Sequence, residues 1–133
     1  MGGEANKATV RSFYEAGNRG DVEACLALIA DDVVWRNIGS TALSGEYRGK
    51  AALMEELLGP LFGQLKAGIR STVVRLIAEG DFVVAETSGE AETKDGRPYN
   101  NTYCHVIRLR DGQFAEVTEY MDTHLTGSVF GFA

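Results

Sequence analysis

Val10, Phe13 and Tyr14, together with Gly17, recur at the i, i+3, i+4, i+7 spacing of one helix face and predict a first helix from about Glu4 to Asn18. Gly20 interrupts it. Asp21 then has the character of an N-cap, with Glu23 in the first turn, and Val22, Cys25, Leu26 and Ile29 form the apolar stripe of a short second helix. After Asp31-Asp32, the run from Val33 to Ile38 has strand composition, and residues 39–49 are rich in Gly, Ser and Thr and predict a loop. A third helix, roughly Lys50 to Gln64, is dense in leucine, and Gly59-Pro60 inside it predicts a kink or a break. Four long strands follow, at about 69–78, 82–93, 99–110 and 113–124, joined by connections short enough to require an antiparallel meander. An apolar tail over 125–133 is expected to dock on the body of the protein.

Turn chemistry turns this pattern into a register. Asp111-Gly112 between alternating runs is a strong hairpin signal, because a type I′ turn needs positive φ at both central positions. Carried along the strands, the pairing sets Leu109 opposite Phe114, His105 opposite Thr118, Tyr103 opposite Tyr120 and Asn101 opposite Asp122. Read as a two- or four-residue turn, Lys94-Asp95-Gly96-Arg97 sets Glu86 opposite His105. A turn at Glu79-Gly80-Asp81 can add Arg75 beside Glu86. Four long twisted strands curl, and helices must cover the concave side. The face bearing Phe82, Leu109, Phe114, Ile107, Tyr103 and Tyr120 carries the larger volumes and is read as the core side. The other face, with Val83, Ala85, Thr87, Cys104, Val106, Ala115, Val117, Met121 and the acid Glu119, is read as a dimer surface.

Composition narrows the function classes. A length of 133 residues is consistent with one domain over 1–133 that buries a real core without disulfides. The net charge of −6 and the lack of any basic stripe argue against nucleic acid or an anionic membrane as partner. Cys25 and Cys104 have neither CxxC nor ligand-like spacing, so no metal and no cofactor are expected. No apolar stretch approaches a membrane span, and the start has no secretory pattern, so a cytoplasmic protein is expected.

The order helix, helix, strand, helix, four strands, with Gly-Asp-Val-Glu at 20–23, Asp-Asp-Val-Val-Trp at 31–35, Asp-Gly-Gln-Phe-Ala-Glu-Val at 111–117 and Glu-Tyr-Met-Asp-Thr at 119–123, resembles the SnoaL-like (polyketide cyclase-like) proteins. These belong to the nuclear-transport-factor-2-like and ketosteroid-isomerase-like superfamily. The resemblance implies an α+β cone in which a curved antiparallel or mixed sheet wraps three helices around an apolar pocket, with a homodimer through the outer sheet face. It also implies small apolar ligands, and enzymes that keep an Asp or Glu in the pocket beside Tyr, Asn, His or a second acid. Asp122, in the matching last-strand motif, is the first position to carry that role. The chain has no local match to the Tyr-plus-acid pair of the steroid isomerases or to the Arg-x-Asp arrangement of the limonene epoxide hydrolases.

The candidate catalytic residues are therefore Asp122, His105, Glu86, Tyr103 and Glu119, and the candidate ligand contacts are Tyr14, Trp35, Phe62, Asn101 and Tyr120. A carboxylate desolvated in an apolar pocket is suited to take and return a proton near neutral pH. A carboxylate beside His105 would fix its tautomer. Tyrosine hydroxyls or Asn101 would stabilise developing oxyanion charge. A β-bulge in the last strand would exchange the roles of Glu119 and Asp122. The expected activity is cofactor-independent acid–base chemistry, of isomerase, cyclase or epoxide-opening type, on a small apolar cyclic or carbonyl compound. The competing expectation is a non-catalytic binder of a hydrophobic ligand.

Overall fold

The computed structural model describes residues 2–132. Two helices, α1 (Gly3–Asn18) and α2 (Val22–Ala27), lead into strand β1 (Ile29–Asn37). As its sequence suggested, Asp21 caps α2, its Oδ1 accepting from the Ala24 amide at 3.1 Å. The Gly/Ser/Thr-rich stretch predicted as loop contains a short strand, β2 (Gly45–Arg48), which pairs antiparallel with β1. The third helical region is three pieces: α3 (Lys50–Ala52), a π-helical segment (Leu53–Leu58) and α4 (Gly59–Gly63). The widened turn accommodates Pro60, whose ring leaves no amide for a regular ladder. Strands β3 (Arg70–Glu79), β4 (Phe82–Glu90), β5 (Asn101–Arg110) and β6 (Gln113–Met121) form the meander, and the tail closes with α5 (Thr123–Phe130).

The six strands make one sheet in the order β2-β1-β6-β5-β4-β3, mixed because β1 runs parallel to β6. The α+β expectation holds. Helix α1 lies across β3 and β4 on the concave side, and Val10, Val33, Leu53, Leu57, Val83, Ile107 and Phe114 fill the space between sheet and helices. No helix among the described residues is long and apolar enough to cross a membrane.

Two departures from the expected register matter for the site. At the β5–β6 turn, Asp111 (φ 53°) and Gly112 (φ 75°) adopt the left-handed conformations of a type I′ turn, and Leu109 pairs with Phe114 as expected. Beyond that pair β6 carries an extra residue: Arg108 faces Glu116, Ala115 is left over, and both Phe114 and Ala115 are buried. From the bulge onward every partner moves by one, so His105 faces Glu119 and Tyr103 faces Met121. The expected pairs His105–Thr118, Tyr103–Tyr120 and Asn101–Asp122 do not form.

The β4–β5 connection is a three-residue loop, Lys94-Asp95-Gly96, and not a two- or four-residue turn. The buried Thr93 hydroxyl holds it closed, accepting from the Arg97 amide at 2.9 Å and donating to the Asp95 carboxylate, while the Thr93 amide donates to the Arg97 carbonyl at 2.8 Å. An odd loop reverses the parity of β4, so Ala85 faces His105, Thr87 faces Tyr103, and Glu86 faces Cys104 on the outer side. The Glu86–His105 dyad is thereby overturned. Glu86 does pair with Arg75, at 2.7 Å, through the two-residue turn Gly80-Asp81, and that pair is on the convex face.

Candidate functional site

Between the concave sheet and the helices lies a cavity of about 630 Å³, a size suited to a small organic ligand and lined mostly by apolar groups. Its polar centre is a row across three strands: Asn37 on β1, Glu119 on β6 and His105 on β5. Trp35, two residues before Asn37, faces the same way, and its indole Nε1 donates to Glu119 Oε1 at 3.0 Å. His105 Nε2 is 3.5 Å from Glu119 Oε2, and His105 Nδ1 is 2.7 Å from the Tyr14 hydroxyl supplied by α1. With a proton on Nε2 facing the carboxylate, Nδ1 accepts from Tyr14, which gives a continuous chain Glu119–His105–Tyr14. The Tyr103 ring stacks on His105 with centroids 5.7 Å apart and 7° between planes.

A glycine makes that stack possible. A side-chain carbon at Gly89 would lie 2.9 Å from the Tyr103 ring and 2.8 Å from the Ile69 side chain, so the bare backbone lets the ring lie down against β4.

Electrostatics set the protonation states. Burial opposes the charged form of Glu119, whose side chain is 15% exposed, but the neighbouring His105 and the Trp35 indole outweigh it, and the carboxyl sits below its ordinary range. Burial, reinforced by the Glu119 charge, raises the Tyr14 phenol far above its usual value. Burial and the adjacent Tyr99 hydroxyl do the same for Tyr103. The cavity thus holds one anionic oxygen pair and two phenols that stay protonated as hydrogen-bond donors.

Of the ten candidate residues, Tyr14, Trp35, Phe62, Tyr103, His105 and Glu119 line this cavity, with Phe62 partly exposed. Four lie elsewhere. Asp122 is exposed and caps α5, its Oδ1 accepting from the Leu125 amide at 3.2 Å. Tyr120, 47% exposed, and Glu86 occupy the convex face. Asn101 is buried at the start of β5, where its side chain bonds the Asp122 backbone, the Tyr99 hydroxyl and Thr126. Val83, Ala85, Thr87, Val117, Glu119 and Met121, expected on a dimer surface, turn inward because the bulge and the odd loop each invert one strand. Asn37 was missed, although its position two residues after Trp35 in one strand was a usable signal. Among the described residues no three His, Cys, Asp or Glu side chains converge as a metal site.

The curved mixed sheet with its helices is matched by comparison. The model of the SnoaL-like domain covers residues 10–117, and the chain belongs to that family. No functionally curated protein matches its sequence. Among solved structures it is similar to an NTF2-like protein of unknown function from Burkholderia pseudomallei, with 23% identity over 98% of both chains and a TM-score of 0.84. It is also similar to Bal32a, from a soil-derived mobile gene cassette, with 22% identity over 96% of this chain and 98% of that one and a TM-score of 0.85. An LEH-like epoxide hydrolase from M. tuberculosis has 21% identity over 96% and 90% and a TM-score of 0.76. At these identities the likeness is one of fold.

Proposed function

We propose that this protein is a cofactor-independent enzyme that moves a proton on a small, mostly apolar cyclic or carbonyl compound, with Glu119 in the role first expected of Asp122. The observation that carries this reading is a carboxylate held in a largely apolar cavity, 3.0 Å from the Trp35 indole nitrogen and 3.5 Å from His105 Nε2, with the Tyr14 and Tyr103 phenols lining the same cavity. Glu119 takes the proton, Tyr103 donates to the oxygen on which charge develops, and His105, held by the Tyr14 hydroxyl, orients the carboxylate. Isomerisation, cyclisation and epoxide opening all share these demands, and an epoxide hydrolase is among the structural neighbours. A panel of ketosteroids, polyketide-like aromatics and terpene epoxides, followed by NMR for turnover and for deuterium uptake from solvent, tests it. Exchange or turnover that survives Glu119→Gln undiminished would sink the assignment.

A second reading, a binder without chemistry, is favoured by the same carboxylate: both oxygens already face donors, which lowers basicity. Saturable binding across the panel with no exchange in the wild type would establish it. For the convex face, where Ile77, Phe82 and Tyr120 are exposed, we propose pairing with a second copy, to be checked by light scattering.

A further inference from the structure

Trp35 is the single tryptophan of the chain, and the proton transfer proposed above gives it no role of its own. Its side chain is almost fully buried, at 6% exposure, on a strand paired on both sides, with Tyr47 of β2 and Val117 of β6 as its register partners. Glu119 lies two residues beyond Val117 and therefore on the same face of β6. The indole Nε1 reaches it along the diagonal and donates to Oε1 at 3.0 Å, whereas Oε2 stands 3.5 Å from His105 Nε2, at the outer limit of a hydrogen bond. The two oxygens are thus unequal. An indole N–H only donates, so it anchors Oε1 without competing for a proton. An anchored oxygen also arrests a long side chain that otherwise samples many rotamers.

We propose that Trp35 is a positioning residue, which holds Glu119 by Oε1 in the orientation that leaves Oε2 as the oxygen that takes the proton. The role of Oε2 rests on Glu119 being the base, and the anchoring by the indole does not. Removing the indole N–H has two opposed consequences. The carboxylate loses a donor that stabilises its charge, so it becomes more basic and, by that change alone, a better base. It also loses its orientation, and a misplaced base is slow however basic it is. Positioning therefore predicts that proton transfer slows while basicity rises.

With one tryptophan in the chain, the indole N–H gives one signal in a 1H–15N spectrum, and growth on β-(3-benzothienyl)alanine replaces that N–H alone by sulfur. Among the described residues the titratable groups that act on Glu119 are His105, Tyr14, Tyr47 and Tyr103, and the three phenols stay protonated as pH falls. In ligand-free wild type the indole signal should shift as pH is lowered, in step with the 13C signal of the Glu119 carboxyl, and Glu119→Gln should flatten it. A signal that is flat in wild type, or that keeps its pH dependence in Glu119→Gln, overturns the proposal, and this arm needs no analogue protein. In the analogue protein the Glu119 midpoint should rise by about half to one pH unit, and 13C relaxation of its γ-carbon should report a freer side chain. An unchanged midpoint or unchanged side-chain order overturns the anchoring. Deuterium exchange into whichever panel compound turns over, measured above both midpoints, should fall about tenfold in the analogue protein. Exchange that holds level or quickens overturns the positioning role. Turnover that survives Glu119→Gln overturns the base reading and with it the role of Oε2, while the titration of the free protein still decides the anchoring.

Discussion

The sheet carries paired carboxylates on both faces, and the same cross-strand geometry has different consequences on each. On the convex face Glu116 lies between Arg108 at 2.6 Å and Arg36 at 3.2 Å, and Arg36 also reaches Glu46 at 3.0 Å. Its carboxyl is held below the ordinary range chiefly by the Arg108 hydrogen bond, with water still in contact. On the concave face Glu119 has a histidine and an indole as partners, neither a permanent cation, in a chamber walled by aromatic and aliphatic side chains. An arginine quenches a carboxylate and leaves it inert. A histidine that can release or accept a proton keeps the neighbouring carboxylate available for chemistry. Arginine and solvent on one side, histidine and a cavity on the other, separate a surface ion pair from a candidate catalytic centre.

The strongest way to break this contrast is Glu119→Gln, which keeps the shape and removes the charge. Once a substrate is found, kcat/KM should fall by about 10²–10⁴. Asp122→Asn, a substitution that preserves an N-cap, should stay within about twofold of wild type, as expected of a residue outside the cavity. Next in size is Gly89→Ala, whose new methyl meets the Tyr103 ring and Ile69. It should cost about 1–3 kcal/mol in urea denaturation and disturb the Tyr103–His105 stack, seen as a change in His105 ring-proton NMR shifts.

A pH comparison gives a smaller and more diagnostic effect. The folded-state value of Glu119 lies below its ordinary value of 4.5. Its pairing therefore contributes fully above about pH 4.5, and the contribution is lost as pH falls through the lower folded value. Glu116 shifts in the same direction. The difference in melting temperature between wild type and Glu119→Gln isolates the cavity residue, and this difference should change in the variant's favour only below about pH 4.5. The smallest effect is expected from Glu116→Gln, under about 1 kcal/mol and shrinking with added salt, because a partly exposed pair is screened by water and ions. An effect as large as that of Glu119→Gln on activity would erase the distinction between the faces.

Much of this architecture was legible in the chain. Helix stripes, the Asp21 cap, the Asp111-Gly112 turn and the phrases of the last strands all express local rules, and local rules suffice for element order, the first pairs of the hairpin and the fold family. Tyr14, Trp35, Tyr103, His105 and Glu119 were recognisable as chemically able residues for the same reason. Which of them would meet was decided by two events of one residue each. Ala115 is small and apolar and fits either a regular strand or a bulge, and the bulge buries both it and Phe114. Lys94-Asp95-Gly96-Arg97 suits several loop lengths, and the odd one prevails through the buried Thr93 hydroxyl. Side chains alternate with a period of two, so each slip of one residue moves a whole strand's set to the other face. The sequence alone determined what groups the sheet carries, and the bulge in β6 and the odd β4–β5 loop, both settled by tertiary packing and hydrogen bonding, decided that Glu119, and not Asp122 or Glu86, sits beside His105.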